Sequence, residues 1–158
     1  KSLPSETIEA IPEMKIYEVT DRLLQAIESD KYQFIRVNFA NGDMVGHTGN
    51  INSCIKAVKA VDECVKKVVD KTLAKKGMLL ITADHGNVEE KLDKKGKMVT
   101  SHTLNPVPCF IIDSQESDFC IDVTKIKEPG IANITATFIN LLGFKAPDLY
   151  EKSLISLE

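Results

Sequence analysis

Five residues of this sequence have the types and spacing to do chemistry. They are Asp43, His47, Asp84, His85 and His102. Asp43-Met-Val-Gly-His47 is a D-x-x-x-H, Asp84-His85 is a direct pair, and His102 sits in Thr-Ser-His-Thr. Carboxylate oxygen and imidazole nitrogen together suit a borderline divalent cation such as Mn²⁺ or Zn²⁺. Two aspartates and three histidines are too many ligands for one closed tetrahedral site and too few for two complete ones. Two metals a few ångströms apart, one of them incompletely ligated, fit that arithmetic better. Paired metals clamp the attacking and leaving oxygens in phosphoryl transfer. A lone Asp-His pair in a loop is usually a hydrogen-bonded surface pair, and D-x-x-x-H recurs by chance; the three histidines together in loops around strands are the rarer event. Gly42, Gly46, Gly49 and Gly86 read as turn residues, which is compatible with either.

The elements that must position these residues follow from periodicity. Residues 1–13, with Pro4 and Pro12, read as a surface-running lead-in. Ile16, Val19, Leu23, Leu24 and Ile27 recur at helical spacing and predict an amphipathic helix over 14–29. The aromatic and β-branched run 32–40 predicts a strand, and the polar, glycine-bearing stretch 41–50 a loop. Residues 51–75 predict a long helix with Ile51, Cys54, Ile55, Val58, Val61, Val65, Val68, Val69 and Leu73 on one face. Gly77 is its expected stop. Residues 78–83 and 107–112 are short apolar runs and predict buried strands. Asp93-Lys-Lys-Gly96 predicts a turn, 114–128 gives no clear element, and 131–142 predicts a last helix closed by Gly143. Strand, long helix, strand is the pattern of a right-handed βαβ unit in a parallel sheet. In such a sheet ligands bind beyond the carboxyl ends of the strands, where Asp43/His47 and Asp84/His85 are expected.

Composition narrows the function classes. The chain has 158 residues, enough for one domain with a sizeable core. Twenty Lys+Arg against 23 Asp+Glu give a net charge of −3, so there is no electrostatic footprint for nucleic acid. No apolar run approaches the ~18 residues of a membrane span, and no signal peptide is visible. Cys54, Cys64, Cys109 and Cys120 form no CxxC pair and read as buried reduced thiols of a cytoplasmic protein.

These residues also carry a resemblance. The blocks are Pro12-Glu-Met14 with Tyr17-Glu-Val-Thr-Asp21; Asn38-Phe-Ala-Asn41 running into Asp43-Met-Val-Gly-His47-Thr-Gly49; Ala57-Val-Lys-Ala-Val-Asp-Glu-Cys64; Ile81-Thr-Ala-Asp-His-Gly-Asn87; and Ser101-His-Thr103 with Asn105-Pro-Val-Pro108. In order and across nearly the whole chain, they resemble the C-terminal part of the cofactor-independent phosphoglycerate mutase family, within the alkaline phosphatase superfamily. The Asp-His-Gly core is shared by that superfamily; the Asp43 and Asn105 blocks are specific to the mutases.

The resemblance implies an α/β, alkaline-phosphatase-like three-layer α/β/α domain with a mainly parallel sheet, of which residues 1–158 form an incomplete, C-terminal portion. It implies interconversion of 3-phosphoglycerate and 2-phosphoglycerate by a phosphoserine mechanism. Two divalent metal ions serve it, expected to be Mn²⁺, with Mg²⁺, Co²⁺ or Zn²⁺ as alternatives. Carried over by motif, Asp43, His47 and His102 bind the metal that holds the substrate phosphate. Asp84 and His85 supply two ligands of the metal that activates the serine, with Asn87 orienting them from behind. The family's nucleophilic serine and its inserted transferase domain have no match here. No catalytic residue is therefore assigned in this chain, and Ser53, Ser101 and Ser153 are not candidates. Arg22 and Arg36 are not a convincing carboxylate clamp, and Gly42 stands where the family commonly has proline. The chain alone is expected to be inactive and to self-associate, and the parent to be a cytoplasmic monomer with no nucleic-acid or membrane partner. A phosphopentomutase or a metal-dependent phosphatase is the alternative reading.

Overall fold

The computed structural model describes residues 5–115 and 117–157. The first four residues of the expected lead-in, Pro4 among them, lie outside these. The lead-in does not run wholly over the surface: Ser5–Ile8 forms a helical turn, α1, and Ile8 is buried. Helix α2 runs Ile16–Glu28, close to the expected 14–29, and buries Ile16, Thr20 and Leu23 at the i, i+4, i+7 spacing of one face.

The expected loop 41–50 begins instead with a short helix, α3 (Asn41–Gly46), and His47 caps its C-terminus. Its glycines made it read as a turn. It is stabilised by burial, with Asn41, Val45 and Gly46 all buried. Asn41 Nδ2 donates to the carbonyls of Pro12 and Glu13 at 2.9 and 2.8 Å, which ties the helix start to the chain before α2.

Helix α4 (Ile51–Ala74) matches the expected 51–75. Asn50 caps it, its side chain accepting from the Ser53 N–H at 3.1 Å. The packed face differs from the one expected. The buried residues are the small ones, Ser53, Cys54, Ala57, Ala60 and Cys64, followed by Val68 and Thr72. Ile51, Ile55 and Val58 are exposed. Small side chains let α2 and α3 approach closely. Val45 and Ile8 pack on Cys54 and Ala57, and Ile16 packs on Ala60 and Cys64. Lys76, at φ 55°, takes the left-handed position just before Gly77.

Strand β1 (Met78–Thr82) pairs antiparallel with β2 (Cys109–Asp113), Leu80 opposite Ile111. A second antiparallel pair joins β3 (Phe119–Ile121), within the stretch that gave no clear element, to β4 (Ile155–Leu157). A 3₁₀ turn, Ile131–Asn133, leads into helix α5 (Ile134–Leu141), as the periodicity predicted. The α/β class holds, but two expectations need correction. Residues 32–40 form no ladder and no helix, with Tyr32 and Phe34 exposed and Phe34 against Phe138 at 4.7 Å. Among the described residues the expected βαβ unit and parallel pairing are therefore absent, and both ladders are antiparallel. The run 32–40 has the composition of a strand, but a ladder also needs a neighbouring strand to pair with. All four cysteines are free; Cys54 and Cys64 are buried as expected, while Cys109 and Cys120 are exposed.

Candidate metal centre

Asp43 lies in the first turn of α3 and His47 at its C-cap. The i, i+4 spacing puts both side chains on one face of a helix, which makes the D-x-x-x-H a geometric unit. His47 Nε2 lies 3.0 Å from Asp43 Oδ1. His85 follows β1, and an isolated bridge between Gly86 and Thr103 draws the segment with His102 alongside it; Thr103 N–H donates to the Gly86 carbonyl at 3.0 Å. The His85 and His102 rings stack at 3.7 Å, 20° from parallel. Gly49, at φ 75°, lets the strap 98–100 pass: a Cβ there would meet Met98 Cγ at 3.0 Å and Thr100 Cγ2 at 3.1 Å.

The result is a convergence on one carboxylate oxygen. Asp43 Oδ1 is 3.0 Å from His47 Nε2, 2.9 Å from His102 Nε2 and 3.9 Å from His85 Nε2. The two imidazoles of His47 and His102 meet at 3.1 Å, Nε2 to Nε2. His47 Nδ1 lies 2.7 Å from the Thr100 carbonyl, which can only accept. In the neutral ring the proton therefore sits on Nδ1, and Nε2 presents a bare lone pair. Of the three atoms in this triangle, only His102 Nε2 can then bring a proton. One proton cannot satisfy three close edges, whereas a shared cation can. Ligands about 2.1 Å from one cation and at right angles lie about 3 Å apart, which matches these edges. Asp43, His85 and His102 likewise offer donor atoms within 4.8 Å of one another.

Electrostatics keep the carboxylate ready for that role. Burial works to raise the Asp43 pKa, but the hydrogen bond from Asn87 and the three imidazoles outweigh it and hold the carboxyl below its usual range. Asn87 Nδ2 donates to Asp43 Oδ1 at 2.8 Å and to its main-chain oxygen at 3.3 Å.

Asp84 stands apart. Its side chain is largely exposed and reaches His85 Nε2 at 3.7 Å. The structure thus gathers Asp43, His47, His85 and His102 at one point, with Asp84 on the outer side of His85. Beyond Asp84 and His85 opens a cavity of about 480 Å³, otherwise mostly apolar, lined by Thr82, Leu104, Ile111 and Ile131 among others.

Two neighbours escaped the sequence reading. Glu89 Oε2 accepts from Asn87 N–H at 2.7 Å, and its Oε1 accepts from Thr103 Oγ1 and, at 3.1 Å, from Asn105 Nδ2. Burial opposes ionisation there, yet these bonds from Thr103, Asn105 and Asn87 hold the Glu89 carboxyl at about 2. Lys91 is buried and donates to Asn87 Oδ1 and to the Gly46 carbonyl. Neither residue stands out by periodicity; both follow Asn87 in a short polar run.

Known proteins are similar to this chain over most of its length. The 2,3-bisphosphoglycerate-independent phosphoglycerate mutase of Trypanosoma brucei brucei is 44% identical across 98% of the chain, and that of Symbiobacterium thermophilum 46% identical across 89%. The chain spans 31% and 26% of those two proteins. A crystal structure of Leishmania mexicana phosphoglycerate mutase, determined at low cobalt concentration, superposes with a TM-score of 0.87 at 43% identity. It matches 96% of this chain and 30% of its own. The resemblance read from the motifs is thus borne out. The profile of one family matches residues 2–146, and with His47, His85 and His102 converging on Asp43 inside that span, the chain belongs to the metalloenzyme superfamily.

Proposed function

We propose that the protein carrying this chain is a cofactor-independent phosphoglycerate mutase, interconverting 3-phosphoglycerate and 2-phosphoglycerate in the cytoplasm. The observation that carries this reading is the donor triangle of Asp43, His47 and His102, with edges of 2.9 to 3.1 Å. Those three residues would hold one divalent metal, and Asp84 and His85 would contribute to a second. Mn²⁺ is the expected ion because the family resemblance implies it; the mixed oxygen and nitrogen donor set by itself suits Mn²⁺ or Zn²⁺. Bound there, the pair would stabilise charge on the transferring phosphate and on the alkoxide of the nucleophile.

The chain's own residues do the positioning. The Thr100 carbonyl fixes the His47 ring by holding its Nδ1–H. Asn87 holds the Asp43 carboxylate from behind, and the His85–His102 stack sets the spacing between the two ligand groups. The cavity beside Asp84 and His85 lies where a nucleophile from elsewhere in the polypeptide could approach. Two of the chain's serines are engaged elsewhere: Ser53 Oγ donates to the Glu9 carbonyl at 3.0 Å, and Ser153 Oγ accepts from Ile155 N–H at 3.2 Å. Residues 1–158 accordingly read as the C-terminal part of the phosphatase domain, a metal-ligand half of the site.

The test is a coupled enolase assay of the intact protein with 3-phosphoglycerate and Mn²⁺. Turnover that disappears in His47→Ala supports the reading. Turnover of ribose phosphates or of aryl phosphates instead, with none of 3-phosphoglycerate, would move the protein to a phosphopentomutase or a phosphatase.

A further inference from the structure

A buried lysine lies behind the site. Lys91 is 8% exposed, and the structure gives its Nζ two acceptors, Asn87 Oδ1 and the Gly46 carbonyl at 3.3 Å. Asn87 is itself 4% exposed. An asparagine amide is nearly symmetric in shape, with an oxygen that accepts on one side and a nitrogen that donates on the other. An ammonium can only donate. Lys91 therefore fixes Oδ1 on its own side, which leaves Nδ2 aimed at Asp43, where it donates at 2.8 Å to Oδ1. Turned over, the same amide would set its oxygen against the Asp43 carboxylate. Gly46 completes the slot, since a Cβ there would overlap the Asn87 amide.

We infer that Lys91 is a positioning residue for the metal centre, acting through Asn87 to hold Asp43 in its ligating orientation. The inference rests on the metal-centre reading above. Groups that orient a ligand from behind typically change metal affinity by about 10 to 100-fold when removed. Lys91→Met keeps the length and apolar body of the side chain while removing the donor. Removing one partner of a buried hydrogen bond leaves the Asn87 Oδ1 and Gly46 carbonyl acceptors unpaired and lowers stability, so each variant's melting temperature is read beside its affinity.

The experiment is Mn²⁺ calorimetry on the intact protein, with the metal-free melting temperature of each variant. Lys91→Met is expected to weaken Mn²⁺ binding about tenfold while still melting cooperatively, at a temperature below the wild type. Asn87→Ala is expected to weaken it as much, and the double variant no further, because one residue acts through the other. Additive losses, or a Lys91→Met that binds as the wild type does, overturn the inference. Lys91→Gln retains a donor and carries the test should Lys91→Met not fold: it is expected to bind within about threefold of wild type, and a tenfold loss in a folded Lys91→Gln overturns the inference. Wild type that binds no Mn²⁺ would instead bring down the metal-centre reading, and the inference with it; binding lost in His47→Ala upholds that reading independently of Lys91.

Discussion

Asp43 is the residue on which the site depends. One of its oxygens receives Asn87 Nδ2 at 2.8 Å and faces His47 and His102 at 3.0 and 2.9 Å. Asp43→Asn keeps the shape and one acceptor but removes the charge. The metal-free fold should change little, because the amide oxygen can still accept from Asn87. Affinity for Mn²⁺ at that site should fall by at least about a hundredfold, since losing a charged ligand costs more than losing the group that orients it. Asp84→Asn is the contrast. Its side chain reaches only His85, at 3.7 Å, so the first binding event should stay within a few-fold of wild type. A two-site calorimetric isotherm separates the variants, and equal loss in both would mean that the two aspartates serve a single ion.

At the scale of elements, the site depends on braces between segments far apart in sequence. Glu89 is the chief one, joining the turn after His85 to the strap after His102 through Thr103 and Asn105. Its folded pKa, about 2, lies below the ordinary 4.5. A carboxylate with a depressed folded pKa adds stability that is fully present above the unfolded value and is lost as pH falls through the folded one. The loss is therefore expected between about pH 4.5 and pH 2. Glu89 is exposed, so solvent screening keeps its contribution modest. In Glu89→Gln the acid limb of the melting profile should flatten over that window, and an unchanged limb would show that the brace contributes nothing to folding. None of this bracing was legible beforehand. Periodicity revealed α2, α4 and α5 because each repeats its apolar positions over two turns or more. It missed α3, whose six residues include Gly42 and Gly46, because tertiary burial of Val45 and the bonds of Asn41 outweigh poor helix propensity. It misjudged the buried face of α4, because close packing selected Ala57, Ala60 and Cys64 over the larger Ile55 and Val58. The candidate ligand residues were legible because aspartate and histidine types at fixed spacing survive in sequence. Lys91 and Glu89 were not, since their partners come from contacts that no local pattern encodes.

At the scale of the whole molecule, the balance of buried and exposed apolar surface sets behaviour in solution. Leu104, Phe110, Ile121, Phe144 and Leu149 are all more than half exposed. Both strands of each ladder also keep one unpaired edge among the described residues. Exposed apolar side chains beside open strand edges are a template for association. The chain spans about 30% of its phosphoglycerate mutase relatives, and the remainder of a longer polypeptide would cover such a surface within one molecule. The isolated 158-residue chain is therefore expected to self-associate at micromolar concentration, while the intact protein sediments as a monomer. Sedimentation velocity across a concentration series checks this. A single 17.5 kDa species at every concentration, with a cooperative and high melting transition, would mean that the exposed face is stable in water by itself. Suppression of the association by Phe110→Lys or Ile121→Lys would place the contact on the antiparallel ladders and beside the cavity next to Asp84 and His85, where a nucleophile is proposed to approach.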